Sequence, residues 1–196
     1  MSLTDILPLE KWVEFENEIN RRSGLDANVY GTDGIRITDN KNWANRLCPA
    51  IKATDKGQSF ICAVANMNLA SQAMNTGKPV IEECDAGLIK IAVPIFAGDE
   101  FIGSVGACGL LIEDGEVDTF LINKTTGIDE DKIEGLSRDI KIISKDDADS
   151  ITDYIRRQIN RFVKDYVNKQ HGAEVTSESI AELTLSAKPS FLSTNN

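Results

Sequence analysis

The chain carries a single histidine, His171, near its C-terminal end. A nucleophile–imidazole dyad within the folded body is therefore not expected, and a histidine-rich metal site is excluded. No apolar run approaches the roughly 20 residues that span a bilayer, so no membrane partner is expected. No Cys-x-x-Cys pair is present, which removes ribbon and knuckle metal sites. Positive charge is scarce, with 21 Lys and Arg against 31 Asp and Glu, a net charge of −10. A field of that sign opposes nucleic acid, which is not expected as a partner. Nothing reads as a secretory signal, so a cytoplasmic, reducing compartment and free thiols are expected.

What the chain does have is four cysteines, Cys48, Cys62, Cys84 and Cys108, with 13, 21 and 23 residues between them. Each alone is most simply a buried core thiol, since cysteine is among the most buried residue types. Taken together they admit two further readings, a long-range metal or cluster site and a redox sensor. A single tetrahedral ion would require sulfur–sulfur separations of roughly 3.5 to 4 Å.

At 196 residues with 41% hydrophobic content, the chain suits one substantial core with extensions. Residues 8–22 place Leu9, Trp12, Phe15 and Ile19 at helical spacing, and Gly24 fits the stop. Short strands are expected over Ala27–Tyr30 and Ile35–Thr38, around a Gly31-Thr32-Asp33-Gly34 turn. Residues 41–77 read as two helical segments, the first with Trp43, Leu47, Cys48 and Ile51. The second, from about Gln58 to Asn75, carries small residues Ala63, Ala65, Ala70 and Ala73 that permit close packing. Thr76-Gly77-Lys78-Pro79 ends it.

Val80–Glu83 reads as a strand, then Leu88–Phe96, a turn at residues 97–100, and a return over Phe101–Ile112. Gly103, Gly106 and Gly109 recur every third residue on the return, which marks either a twisted central strand or the close approach of a ligand. One or two helices are expected over residues 116–136, and a last strand at Ile140–Ile143. A long helix then starts near Asp146. Its stripe, Ile151, Ile155, Ile159, Phe162 and Tyr166, steps by four, four, three and four, close to a heptad seam. That stripe suits either packing on the chain's own sheet or a homodimer. The fold class is α+β: an antiparallel sheet flanked by helices, with a helical insert and a long C-terminal exit helix, as in PAS and GAF modules. The body is expected over residues 1–170, with a mobile tail over 171–196.

Leu9-Glu10-Lys11-Trp12, Ser23-Gly24-Leu25 and Thr32-Asp33-Gly34 before Ile37-Thr38 resemble the start of the PocR-type sensory domain. Thr76-Gly77-Lys78-Pro79-Val80, Glu83-Cys84-Asp85-Ala86-Gly87-Leu88, Ala92-Val93-Pro94-Ile95 and Phe101-Ile102-Gly103 resemble that family's core signature. Cys48 and Cys62 fall where the family places cysteines. Where the family often has a Gly-Gln pair, this chain has Gly106-Ala107-Cys108-Gly109. The resemblance spans roughly residues 8–168. It implies a PAS/GAF-like fold that binds a small organic molecule and passes its state to a downstream signalling partner.

With the resemblance, the four thiols are expected to share a site, either a metal site for zinc or an iron–sulfur cluster, or a thiol-walled pocket. The ligand pocket is expected between sheet and helical insert, at Cys62, Met67, Cys84, Asp85, Ile91, Val93, Gly106 and Cys108. Enzyme activity is not expected. Glu82 and Glu83 point to opposite faces of a strand, and Cys84 has no histidine to activate it. The principal reading is a small-molecule sensory domain that relays through its C-terminal helix. The alternatives are a cysteine-based metal, iron–sulfur or redox sensor, and a non-sensing dimerisation module.

Overall fold

The computed structural model describes the backbone of residues 1–186 and side chains as far as residue 170. A short helix α1 (Leu3–Ile6) precedes the amphipathic helix α2 (Leu9–Ser23). Trp12, Phe15 and Ile19 form the buried face of α2, and the Trp12 indole N–H donates to the Leu3 carbonyl at 3.0 Å. Gly24 closes α2 in the left-handed conformation, its N–H on the Asn20 carbonyl.

Strand β1 (Asp26–Tyr30) follows. The second strand expected over Ile35–Thr38 reduces to one bridge, between Tyr30 and Arg36. The reason lies in α2. Glu16 takes the Val29 N–H at 2.8 Å and the Thr38 hydroxyl at 2.7 Å, so a side chain occupies part of the edge that a partner strand would pair.

The helical insert is α3 (Leu47–Lys52), a π-helical segment (Gly57–Ala63) and α4 (Val64–Thr76). Residues 41–46, expected within the first helix, lie outside it. The π-helical segment crosses α3 at Gly57, where a Cβ would stand 2.3 Å from the Ile51 carbonyl oxygen. No larger residue permits that approach.

Strands β2 (Val80–Glu83), β3 (Ile89–Ala97) and β4 (Glu100–Cys108) complete a four-stranded antiparallel sheet in the order β1-β4-β3-β2. The expected return strand over Phe101–Ile112 divides at Gly109, whose φ of +104° breaks the ladder. Its remainder, β5 (Leu111–Ile112), pairs in parallel with β6 (Ile142–Ile143). Helices α5 (Thr119–Thr126) and α6 (Glu130–Ser137) lie between, and α7 (Lys145–Ser186) ends the described chain.

Two cores result. One joins Ile91, Val93 and Val105 of the sheet to Trp12, Phe15 and Ile19 of α2 and to Ile151, Ile155 and Ile159 of α7. The other, at one end of the sheet, gathers Leu47, Ile51, Ile61, Leu88, Ile122 and Ile133. The start of the α7 stripe is therefore buried within the chain. Phe162 continues it, edge-on to Trp12 at 5.9 Å and to Phe15 at 5.2 Å. The tail expected over residues 171–196 lies outside the described residues, apart from the α7 backbone as far as Ser186. Among the described residues, no helix is long and apolar enough to cross a membrane.

Candidate functional site

Alternation along β1, β3 and β4 sends one set of side chains toward α2 and α7 and the other toward the helical insert. The insert face is polar yet buried. Its registers pair Asp26 and Lys90 with Cys108, Asn28 and Ala92 with Gly106, and Tyr30 and Pro94 with Ser104. Asp26, Asn28, Lys90 and Ser104 are all buried. Few of these groups have partners within the chain. Asp26 accepts the Asn42 N–H at 3.3 Å, and the Asn66 amide donates to the Tyr30 hydroxyl at 3.3 Å. The Asn28 Oδ1 has no hydrogen-bond partner, the one such buried side-chain atom among the described residues. A buried unpaired acceptor costs about 1–3 kcal/mol. Lys90 makes no ion pair among the described residues.

Between this face and α4 lies a cavity of about 30 Å³, bordered by Tyr30, Asn66, Met67, Lys90, Ser104 and Gly106 among others. That volume suits about two water-sized groups. Gly106 keeps it open beside the tyrosine, since a Cβ there would stand 2.9 Å from the Tyr30 ring. Tyr30, Gly34, Asn66 and Met67 also line an open cleft of about 730 Å³ that extends past Arg36, Trp43 and Lys52. Burial raises the Tyr30 pKa, and the charges of Lys90 and Arg36 partly offset that effect.

The four thiols gather at the end of the same face. Cys48 lies on α3, Cys62 in the π-helical segment, Cys84 just after β2, and Cys108 at the end of β4 opposite Lys90. Cys48, Cys62 and Cys84 pack against the second core. Asn45 pins Cys48 to the β4 end, donating from Nδ2 to the Cys48 Sγ at 3.3 Å and to the Gly109 carbonyl at 2.6 Å. The Cys48 N–H returns to Asn45 Oδ1 at 2.7 Å. All four thiols are free. Burial pushes the thiols of Cys48, Cys62 and Cys84 up. The charge of Cys108 adds to this for Cys48, whereas Lys52 and Lys90 oppose it for Cys62. Burial also works against the Lys90 ammonium, but Cys108, Tyr30, Cys84 and Cys62 together outweigh it and leave that pKa raised. No group of three or more His, Cys, Asp or Glu side chains among the described residues is arranged to hold a metal ion.

The expected pocket residues divide between these places. Met67 and Gly106 border the cavity; Ile91 also lines it, but its side chain belongs to the core. Val93 faces the opposite way, into the core beneath α2 and α7, because it is an odd number of residues from Lys90. Cys84 and Asp85 line a shallow groove with Val64, Ala65 and Asn68, while Cys62 packs against the second core and Cys108 lies opposite Lys90. Asn28, Tyr30, Lys90 and Ser104 were not anticipated from sequence. The available signal was the alternation Asp26-Ala27-Asn28-Val29-Tyr30 and the lysine inside Ile89-Lys90-Ile91: polar residues at period two on strands covered on both faces.

A helix-covered antiparallel sheet with one buried polar face describes a class of α+β domains rather than a function. The profile of one family, described as the sensory domain found in PocR, matches residues 5–166. The chain belongs to that family of sensory domains. No curated protein and no solved structure matches it.

Proposed function

We propose that the chain is a small-molecule sensor that binds a polar organic ligand of a few heavy atoms between the sheet and α4. Lys90, Tyr30, Asn28 and Ser104 supply its polar contacts, and Met67 and Gly106 shape the cavity. The carrying observation is Asn28 Oδ1, a buried acceptor with no partner, on the same face of the sheet as Lys90, a buried lysine with no ion pair among the described residues. Ligand donors would satisfy the first, and ligand oxygens the second. The cleft past Arg36 and Trp43 is the entry route.

Relay follows from β3. Lys90 and Ala92 face the cavity, while Ile91 and Val93 face Ile155 and its neighbours in the core that α7 closes. A ligand that favours one of two packings of β3 against α4 would shift α7 with it. A downstream protein, or a second copy of the chain, would read the position of α7. The reading excludes any need for catalysis.

The test is thermal unfolding of the full chain against short alcohols, diols, amides and carboxylates. One chemical class should raise the midpoint of the wild-type protein and leave Asn28→Leu unmoved. The same compound should change amide hydrogen exchange in residues 151–166. Absence of any shift across the panel, or an equal shift in Asn28→Leu and Lys90→Met, would remove this site.

A further inference from the structure

We propose that the cleft between the loop after β1 and the helical insert is a second binding site, for an aromatic monocarboxylate. The chain carries a net charge of −10, yet this concave surface of about 730 Å³ gathers three cations, Arg36, Lys41 and Lys52, against two carboxylates, Asp33 and Asp39. Its volume falls within the roughly 300–1,000 Å³ of sites that hold drug-sized organic molecules. None of the three cations makes an ion pair among the described residues. The neighbouring acids are engaged elsewhere or solvated. Asp33 Oδ1 accepts the Ile35 N–H at 2.9 Å, within its own turn, and Asp39 is exposed. Glu16, within electrostatic reach of Arg36, accepts from Thr38 with both oxygens and from the Val29 N–H with one.

The fold fixes these groups. The bridge between Tyr30 and Arg36 sets Arg36, half-buried, beside the end of β1, and α3 ends on Lys52. The Lys52 ammonium stands 4.9 Å over the Trp43 ring, so a cation and an aromatic surface are presented together. Trp12 is fully buried in the core, whereas Trp43 and Ile35 are exposed on the cleft. An indole and an isoleucine on a concave surface suit a flat apolar body. Arg36 suits a carboxylate, which a guanidinium binds through two parallel N–H bonds. The balance of charge sets the valence. An excess of one positive charge is neutralised by a monoanion, whereas a polyphosphate would bring further negative charge against Asp33 and Asp39. Arg36, Lys41, Trp43 and Lys52 border the cleft but not the small cavity under α4. Binding here needs neither Asn28 nor Lys90, so the two sites stand or fall separately.

The experiment titrates the full chain by calorimetry with benzoate, 2-naphthoate and indole-3-acetate, each beside its neutral amide, and with ATP as the polyanion. At least one acid should bind with a dissociation constant below about 1 mM, weakening as salt rises. Its amide should bind about tenfold more weakly. Arg36→Gln and Lys52→Met should each weaken the acid by about tenfold while the thermal midpoint of the free protein stays unchanged, and Asn28→Leu should bind as wild type does. In proton–nitrogen NMR the indole N–H signal of Trp43 should move with added acid and that of Trp12 should not. No binding by any of the three acids at about 1 mM, equal affinity for acid and amide, or tighter binding of ATP would each overturn the assignment. So would affinity that survives both Arg36→Gln and Lys52→Met, or that is lost in Asn28→Leu.

Discussion

On one face of the sheet, Ile91, Val93 and Val105 meet the isoleucines of α7 and the aromatics of α2. On the other, Asn28, Lys90 and Ser104 are as deeply buried, but Lys90 and Ser104 border a small cavity and Lys90 lies opposite Cys108. The same strands supply both faces, so the difference is not one of local structure. The apolar face stabilises the fold: each fully buried large side chain contributes about 1.5–3 kcal/mol. The polar face forgoes that contribution and retains unsatisfied groups, which natural proteins tolerate mainly where function requires them.

The largest expected effect breaks the apolar face. Trp12 is fully buried, edge-on to Phe162, and its indole N–H is bonded to Leu3. Trp12→Ala should cost about 3–5 kcal/mol in urea unfolding. A cost under about 1 kcal/mol would mean that α2 is not part of the cooperative core.

The converse test concerns the polar face. Asn28→Leu removes the unpaired Oδ1, and the ligand-free protein should gain about 1–3 kcal/mol. Comparable destabilisation would show that Asn28 is satisfied in solution and that the two faces are more alike than their composition indicates.

A smaller effect sits at the edge of β1. Burial raises the Glu16 pKa, opposed by its bonds from Thr38 and Val29. A folded-state pKa above the unfolded value means the folded state binds the proton more tightly. Glu16 therefore contributes stability that is fully present below the unfolded pKa and is lost as pH rises through the folded one. Glu16→Gln retains acceptors for both bonds and should remove that component of the pH dependence, changing stability at neutral pH by about 1 kcal/mol or less. The check is the difference in urea midpoint between wild type and variant from pH 7 to below 4.5. A difference that does not vary with pH would refute the assignment.

The smallest effect lies outside both faces. Arg46 and Asp139 form an ion pair of two exposed side chains at 2.5 Å, between α3 and the segment after α6. Arg46→Ala should cost about 0–1 kcal/mol, and less in high salt. A larger loss would make that bridge part of the second core.

Much of the fold was legible before any coordinates. Trp12, Phe15 and Ile19 marked α2, the turn at residues 97–100 marked the β3–β4 hairpin, and the four-four-three-four stripe marked α7. The stripe did not say what it packs on. Two misreadings have local causes. Gly109 reads as one more strand glycine until its positive φ ends β4, and Ile35–Thr38 reads as a strand until Glu16 takes part of the β1 edge.

By itself the sequence determined the elements and the family, because periodicity, turn residues and short motifs act over a few residues. Only the tertiary structure decided which side of the sheet each strand residue serves. A period of two assigns residues to alternate faces without saying which face meets α4 and which meets α7. Likewise, cysteines 13 to 23 residues apart carry no record of proximity. Cys48, Cys62 and Cys84 share one region because α3, the π-helical segment and the loop after β2 are packed around one second core, and such long-range packing has no local signature.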